Sequence, residues 1–179
     1  AVLLVLLALG LASCGSSKVA QCNSFAEVIN DAQEFKNDFE SDIDSFTQQA
    51  SGAQSLADIQ AAATQYIGAV DTVVTNIDGM VGSLEGLELP DEELAQYRNE
   101  YVTIITGSGQ ELEVASEAMQ LVAEAESEEQ LGGVLEEFQS KANSAFTNLQ
   151  SLSTQEATLV TNINGYSGAE APADAPAEE

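Results

Sequence analysis

Apolar residues recur at intervals of three and four along most of the chain, the spacing that gathers them on one side of an α-helix. Interruptions divide this pattern into four predicted helices, at 24–51, 55–87, 90–126 and 127–165. Amphipathic helices joined by short links bury their apolar stripes only against one another. The sequence therefore predicts an all-α fold, an elongated up-down-up-down four-helix bundle with coiled-coil-like packing.

Each predicted helix carries one continuous stripe. The first contains Phe25, Val28, Ala32, Phe35, Phe39, Ile43, Phe46 and Ala50. The second contains Leu56, Ile59, Ala63, Tyr66, Val70, Val73, Ile77, Met80, Leu84 and Leu87. The third contains Leu94, Tyr97, Tyr101, Ile104, Ser108, Leu112, Ala115, Met119 and Val122. The fourth contains Leu131, Leu135, Phe138, Ala142, Ala145, Leu149, Leu152, Leu159 and Ile163.

Capping residues mark the predicted helix ends. Ser24 with Glu27, and Ser127 with Gln130, fit the capping box that satisfies free backbone N–H groups in a first turn. Gly165 is the predicted stop of the last helix. Within the third helix, the Gly107-Ser108-Gly109 segment indicates either close packing or a kink, or alternatively a hinge or ligand contact.

The first twelve residues, AVLLVLLALGLA, form an apolar run that is shorter than the ~20 residues a membrane-spanning helix requires. A run of this length is typical of a secretory signal. Residues 1–13 are therefore interpreted as a signal peptide, incomplete at its start because no basic segment precedes the run.

Leu11-Ala12-Ser13-Cys14, directly after this run, resembles the lipobox of bacterial lipoproteins. The resemblance implies cleavage between Ser13 and Cys14 and attachment of lipid to the Cys14 thiol. It also implies an exported protein, anchored by lipid to a bacterial membrane and facing the periplasm, the cell surface or the thylakoid lumen. Two or three acyl chains hold a protein on a membrane stably, so membrane attachment through Cys14 needs no basic patch.

Polar and small residues flank the predicted bundle. Residues 14–23 are expected to be the lipidated cysteine and a flexible tether, and residues 167–179, rich in Ala, Pro and Glu, a disordered acidic tail. Cys22 is the second cysteine of the chain. It is either a small buried residue or a partner for a thiol of another chain.

The chain has four basic and thirty acidic residues, which gives a formal charge of −26. Phosphate binding needs clustered Lys and Arg, so nucleic acid is excluded as a partner. The charge favours a basic protein partner, but solubility or a saline habitat explains it equally well.

Catalytic chemistry is hard to assemble from this composition. Histidine is absent, which excludes the catalytic Ser-His-Asp and Cys-His arrangements and the Glu-x-x-His motif of di-iron sites. The sequence also has no phosphate-binding glycine loop. The alternating acidic residues from Asp38 to Asp44 fail the EF-hand pattern, because Ile43 stands where glycine is required. A solvated acidic face is the preferred interpretation. The sequence predicts no enzyme, no cofactor and no metal site.

The leading hypothesis is a membrane-anchored, extracytoplasmic bundle with a structural, docking or assembly role through protein–protein contacts. The alternative is a small-ligand-binding or sensory module with a pocket inside the bundle, near Gly107–Gly109. In outline the chain also resembles the small helical-bundle lipoproteins that attach to the lumenal side of cyanobacterial photosystem II. That resemblance is architectural and leaves the partner and the oligomeric state open.

Overall fold

The computed structural model of the protein describes residues 17–168, apart from the side chains of residues 32–34. The predicted signal peptide, the cleavage site at Ser13 and Cys14, and the predicted tail beyond residue 168 lie outside the described residues. Those interpretations stay predictions.

All regular secondary structure in residues 17–168 is helical. The helices are α1 (Lys18–Gly52), α2 (Leu56–Glu85), α3 (Glu92–Ala123) and α4 (Glu128–Gly168). The prediction of an all-α fold with four helices is confirmed.

The helices are long. Helix α1 has 35 residues and α4 has 41 residues. At a rise of about 1.5 Å per residue, these lengths correspond to roughly 52 Å and roughly 62 Å. The body is therefore elongated, as the sequence predicts.

Contacts between helix ends establish the up-down-up-down order. The Gln60 side chain near the start of α2 donates a 2.8 Å hydrogen bond to the carbonyl of Ala125, just after α3. Tyr166 near the end of α4 donates from its hydroxyl to Asp91, just before α3, at 3.0 Å. The Asp91 N–H also donates to Gln21 near the start of α1, so α1 and α3 begin at the same end. Each helix therefore runs antiparallel to the one before it, as the short links predict.

The core is formed mainly by the stripes of α2 and α3. The largest fully buried side chains are Tyr101, Phe25, Leu84, Leu94 and Val70. All five belong to the predicted stripes. Phe25 meets the Tyr101 ring edge-on, with centroids 6.2 Å apart, a favourable geometry for two aromatic rings. The start of α1 is therefore packed directly against the centre of the bundle.

The start of α1 differs from the prediction. The helix begins at Lys18 with Ser17 as its N-cap, and the Ser17 hydroxyl accepts from the Ala20 N–H at 3.2 Å. Ser24, the predicted cap, lies within the helix and is exposed to solvent. Residues 18–23 are therefore helix rather than flexible tether. Sequence reasoning missed this because polar and small residues dominate this segment, yet Gln21 and Cys22 are both buried.

The end of α4 also differs, because the helix continues through Gly165 to Gly168. Gly165 has a right-handed backbone, since no glycine among the described residues has a positive φ. Tyr166, one residue later, gains contacts with Asp91 that favour continuation of the helix. The predicted stop at Gly165 is therefore wrong.

The Gly107-Ser108-Gly109 segment is continuous α-helix. A Cβ atom on Gly107 would lie 3.4 Å from Leu152 Cδ2 of α4, and one on Gly109 would lie 3.6 Å from Ile77 Cγ2 of α2. A Cβ atom at either position would be in ordinary van der Waals contact, so α3 packs against α2 and α4 at this segment without a kink, which agrees with the close-packing interpretation of the sequence.

Candidate functional site

One seam of the bundle is open. Consecutive helices pack against each other along their lengths, but α1 makes only a few contacts with α3 and α4. In a regular four-helix bundle, α1 and α4 would close the ring side by side. Here α1 rests mainly on α2, and the space between α1 and α4 exposes part of the core.

A cavity of about 270 Å³ lies in this seam. All four helices line it, and we call it the seam cavity. Its apolar lining includes Phe35, Phe39, Ile77, Met80, Ile105, Leu112 and Leu149. Larger grooves of about 330 Å³ and about 460 Å³ lie between α1 and α2 and between α3 and α4, but each is lined by only two helices. Of these three spaces, the seam cavity is therefore the one that reaches the middle of the bundle.

Four polar side chains also line the seam cavity: Lys36, Ser108, Ser153 and Glu156. The Ser108 hydroxyl donates to the Ile104 carbonyl of its own helix at 3.0 Å. Ser108 stands between the two glycines that the sequence marked as a candidate ligand contact. The close packing at Gly107 and Gly109 and the cavity beside Ser108 therefore occur together.

Tyr101 and Glu156 form a hydrogen bond at the edge of the seam cavity. The Tyr101 ring is fully buried, and its hydroxyl donates to Glu156 Oε1 at 3.0 Å. Burial raises the pKa of Tyr101, and the nearby Glu156 carboxylate raises it further. The tyrosine is therefore held neutral and acts as a donor to the carboxylate.

Lys36 is the basic residue without a partner among the described side chains. Lys18 lies 3.5 Å above the Tyr166 ring, Arg98 donates to the Leu87 carbonyl, and Lys141 pairs with two glutamates of α3 and α4. Lys36 makes no such contact within residues 17–168 and is exposed at the seam cavity. A side chain with an ammonium group and no described partner thus lines the mostly apolar seam cavity.

A second cluster ties the start of α1 to the end of the bundle. Asp91 accepts from the backbone of Leu94 and from the Tyr166 hydroxyl, while the Asp91 N–H donates to Gln21 Oε1 at 3.0 Å. The pKa of Asp91 is lowered by the bonds that its carboxylate accepts, the Leu94 N–H most strongly. Burial and then the hydrogen bond to Asp91 raise the pKa of Tyr166 to about 12. This Asp91 cluster connects α1, α3 and α4 at one end.

Cys22 lies in this same region. Its side chain is 6% exposed and its thiol is free. Of the two interpretations of this residue, the small buried one agrees with the structure, because a thiol so deeply covered is shielded from a second chain.

The acidic residues of the first helix do not converge. Asp38, Glu40, Asp42 and Asp44 are exposed on α1. Within the part of the chain that the structure describes, no three acidic or cysteine side chains are grouped so as to hold a metal ion. The carboxylates of α1 therefore form a solvated face.

None of the helices in residues 17–168 has a stretch long and apolar enough to cross a bilayer. No protein-family model matches the chain, and no curated protein or solved structure shows significant similarity to it.

Lys36 and Glu156 were not predicted as site residues. A signal for Glu156 was present, since it falls between Leu152 and Leu159 at the spacing of the fourth stripe, where an apolar residue is expected. Ser108 similarly occupies a stripe position in α3. Polar residues at stripe positions mark the seam cavity, but the position of Lys36 beside it depends on how α1 leans away from α4, which periodicity does not report.

Proposed function

We propose that this chain is a lipid-anchored, non-catalytic helical-bundle protein that docks a protein partner on the extracytoplasmic side of a bacterial membrane. The lipid is carried by Cys14, after cleavage between Ser13 and Cys14. The lipobox-like residues directly after an apolar run support the anchor, and the observation that carries the docking role is the short separation in sequence between Cys14 and the observed start of α1 at Lys18.

The helical body begins almost at the proposed anchor. Ser17 caps α1. A fully extended chain from Cys14 to Ser17 spans at most about 11 Å, at roughly 3.6 Å per residue. The Asp91 cluster then fixes the start of α1 to the rest of the bundle. A lipid on Cys14 would therefore hold a rigid body close to the bilayer rather than a body on a long tether.

This arrangement gives the bundle a direction. The end with Ser17, the link at 86–91 and Gly168 would face the membrane. The links at 53–55 and 124–127 would stand about 50 Å away, one helix length above it. An acidic body repels an anionic bilayer surface. Its far end and flanks are therefore presented to the aqueous side, where a basic partner would be attracted in a salt-dependent way.

The anchor is tested by intact mass of the protein purified from its native membrane. We expect a chain that begins at Cys14 and carries a diacylglyceryl group and an additional acyl chain. The Cys14→Ser variant should keep its signal and lose the lipid mass. Cys22→Ala is the matched control, because it removes the buried thiol and should leave the lipid mass unchanged. An unlipidated wild-type product would overturn the anchor.

The docking role is tested by affinity capture of the membrane-bound protein at low and at high salt. We expect one basic protein, identified by mass spectrometry, to co-purify at low salt and to dissociate as salt rises. The purified partner should then bind the purified chain directly with the same salt dependence. Absence of a specific partner at both salt concentrations would overturn docking while leaving the anchor in place.

A second candidate function is the binding of a small apolar molecule in the seam cavity. The observation that favours it is a cavity lined by all four helices, at the level of the buried side chains of α2 and α3. Small-molecule sites are concave and mostly apolar with a few placed polar groups. If docking fails and a small apolar ligand raises the melting temperature, this second function replaces the first.

A further inference from the structure

We propose that the seam cavity binds a single-chain amphiphile with an anionic head, such as a medium-chain fatty acid, with its carboxylate at Lys36. This inference rests on the second candidate function and is independent of docking; the inferred source of the ligand also depends on the proposed anchor. It names the class of ligand and the residue that selects its head group.

The size of the cavity limits the ligand. The seam cavity has a volume of about 270 Å³. An apolar cavity of roughly 150 Å³ takes up benzene, so this one accommodates an apolar group nearly twice as large. Its α3 lining extends from Tyr101 to Leu112. That stretch covers about 16 Å along the helix axis, at about 1.5 Å per residue. A narrow, extended space of this volume fits one alkyl chain better than a bulky ring system or two chains.

The charges on the lining select the head group. Glu156 already accepts a hydrogen bond from the Tyr101 hydroxyl, whereas Lys36 has no partner among the described side chains. Charges farther away than a Debye length of about 8 Å are largely screened at physiological ionic strength. Carboxylates beyond that distance therefore add little, and Lys36 is the cation on the lining that the carboxylate of a bound ligand can reach.

The position of the cavity limits the source of the ligand. Lys36 and Lys18 both lie on α1. They are about 27 Å apart along the helix axis, at a rise of about 1.5 Å per residue. With the start of α1 held close to the bilayer, the cavity would lie above the lipid head groups. A monomeric single-chain amphiphile can reach it through the aqueous phase, while a two-chain phospholipid stays in the membrane because of its larger buried apolar area.

The test is photo-crosslinking with a twelve-carbon fatty acid that carries a diazirine at its chain end, on membranes that contain the full chain. Labelled positions are mapped by peptide mass spectrometry. We expect saturable labelling of the α2 and α3 residues that line the cavity, and competition by dodecanoate stronger than by dodecanol or dodecylamine.

Three variants in the same chain sharpen the test. Ser108→Leu fills the cavity and should abolish this labelling while circular dichroism and melting temperature show an intact bundle. Lys36→Gln should raise the probe concentration at half-saturation by about threefold, the change expected from the loss of one solvent-exposed ion pair. Lys141→Gln is the matched lysine control and should change nothing, because Lys141 pairs with Glu117 and Glu137.

Each contrary outcome has a distinct meaning. Labelling of Ser108→Leu as strong as wild type, or wild-type labelling confined to residues outside the cavity lining, would overturn the cavity as a ligand site. Equal competition by dodecanol together with an unaffected Lys36→Gln variant would overturn the anionic head group, as would stronger competition by dodecylamine. Absence of saturable labelling in a wild-type chain that still captures a partner would overturn this inference and leave docking standing.

Discussion

Tyr101 connects the packed core to the polar edge of the seam cavity. Its ring is fully buried against Phe25, and its hydroxyl donates to Glu156 across the α3–α4 contact. Tyr101→Phe removes one hydrogen bond to a carboxylate and keeps the ring, so we expect a loss of about 1–2 kcal/mol in the free energy of unfolding. Urea denaturation measures this loss, provided that the m-value of the variant equals that of the wild type. Glu156→Gln, which keeps an acceptor, should lose less; an equal or larger loss would contradict the role given to this bond.

Tyrosine ionisation should destabilise the protein at alkaline pH. The pKa of Tyr101 is raised by burial and by Glu156, and that of Tyr166 is raised to about 12 from 10.0. The stability that comes from a raised folded-state pKa is fully present below the unfolded pKa and is lost as pH rises through the folded one. We therefore expect the melting temperature to fall between pH 10 and about 12. In Tyr101→Phe the melting temperature should fall less steeply with pH. An unchanged slope would contradict the contribution of Tyr101 ionisation.

Glycines of the same helical fold differ in what surrounds them. A Cβ atom on Gly79 of α2 would meet nothing within 4 Å, whereas one on Gly107 would contact Leu152 at 3.4 Å. Gly79→Ala should therefore stabilise the protein by about 1 kcal/mol through helix propensity alone. Gly107→Ala should gain less, because its Cβ would lie at the near limit of van der Waals contact with Leu152 and restrict that side chain. Thermal unfolding of both variants makes the comparison, and equal gains would contradict a restraint on Leu152.

Helix caps test where the elements begin. The Ser127 hydroxyl accepts from the Gln130 N–H at 3.2 Å at the start of α4, while Ser24 is an exposed interior residue of α1. Ser127→Ala should lower the free energy of unfolding by about 1 kcal/mol, and Ser24→Ala should leave it unchanged or raise it slightly. Equilibrium unfolding of the two variants decides between the predicted and the observed start of α1. A comparable cost at Ser24 would restore the predicted start.

Periodicity predicted the elements better than the way they assemble. The stripes of α2 and α3 include the buried residues Val70, Leu84, Leu94 and Tyr101, because a core-facing helix must repeat its apolar residues every three or four positions. The early start of α1 escaped prediction, since its first turn is held by tertiary contacts such as Gln21 with the Asp91 N–H. The open seam escaped for the same reason: a stripe shows which side of a helix is buried, but not which neighbour covers it.

The whole molecule carries its charge with little internal compensation. The formal charge is −26, and the side-chain ion pairs within residues 17–168 are those of Lys141 with Glu117 and Glu137, at 3.8 Å and 3.7 Å. Repulsion among the remaining carboxylates opposes the compact state. Raising NaCl from about 10 mM to about 150 mM shortens the Debye length from about 30 Å to about 8 Å and screens that repulsion. We expect stabilisation on the order of 1 kcal/mol, which corresponds to a melting temperature about 2–4 °C higher.

A charge variant separates screening from other effects of salt. Asp71, Glu113 and Glu136 are exposed and lie on three different helices. Replacing them by Asn, Gln and Gln removes three negative charges and changes the formal charge from −26 to −23. Because repulsion grows with the number of like charges, this variant should melt higher than wild type at low salt and respond less to added NaCl. A melting temperature that falls with salt in the wild type would mean that attractive pairs, rather than repulsion, dominate the electrostatics of the bundle.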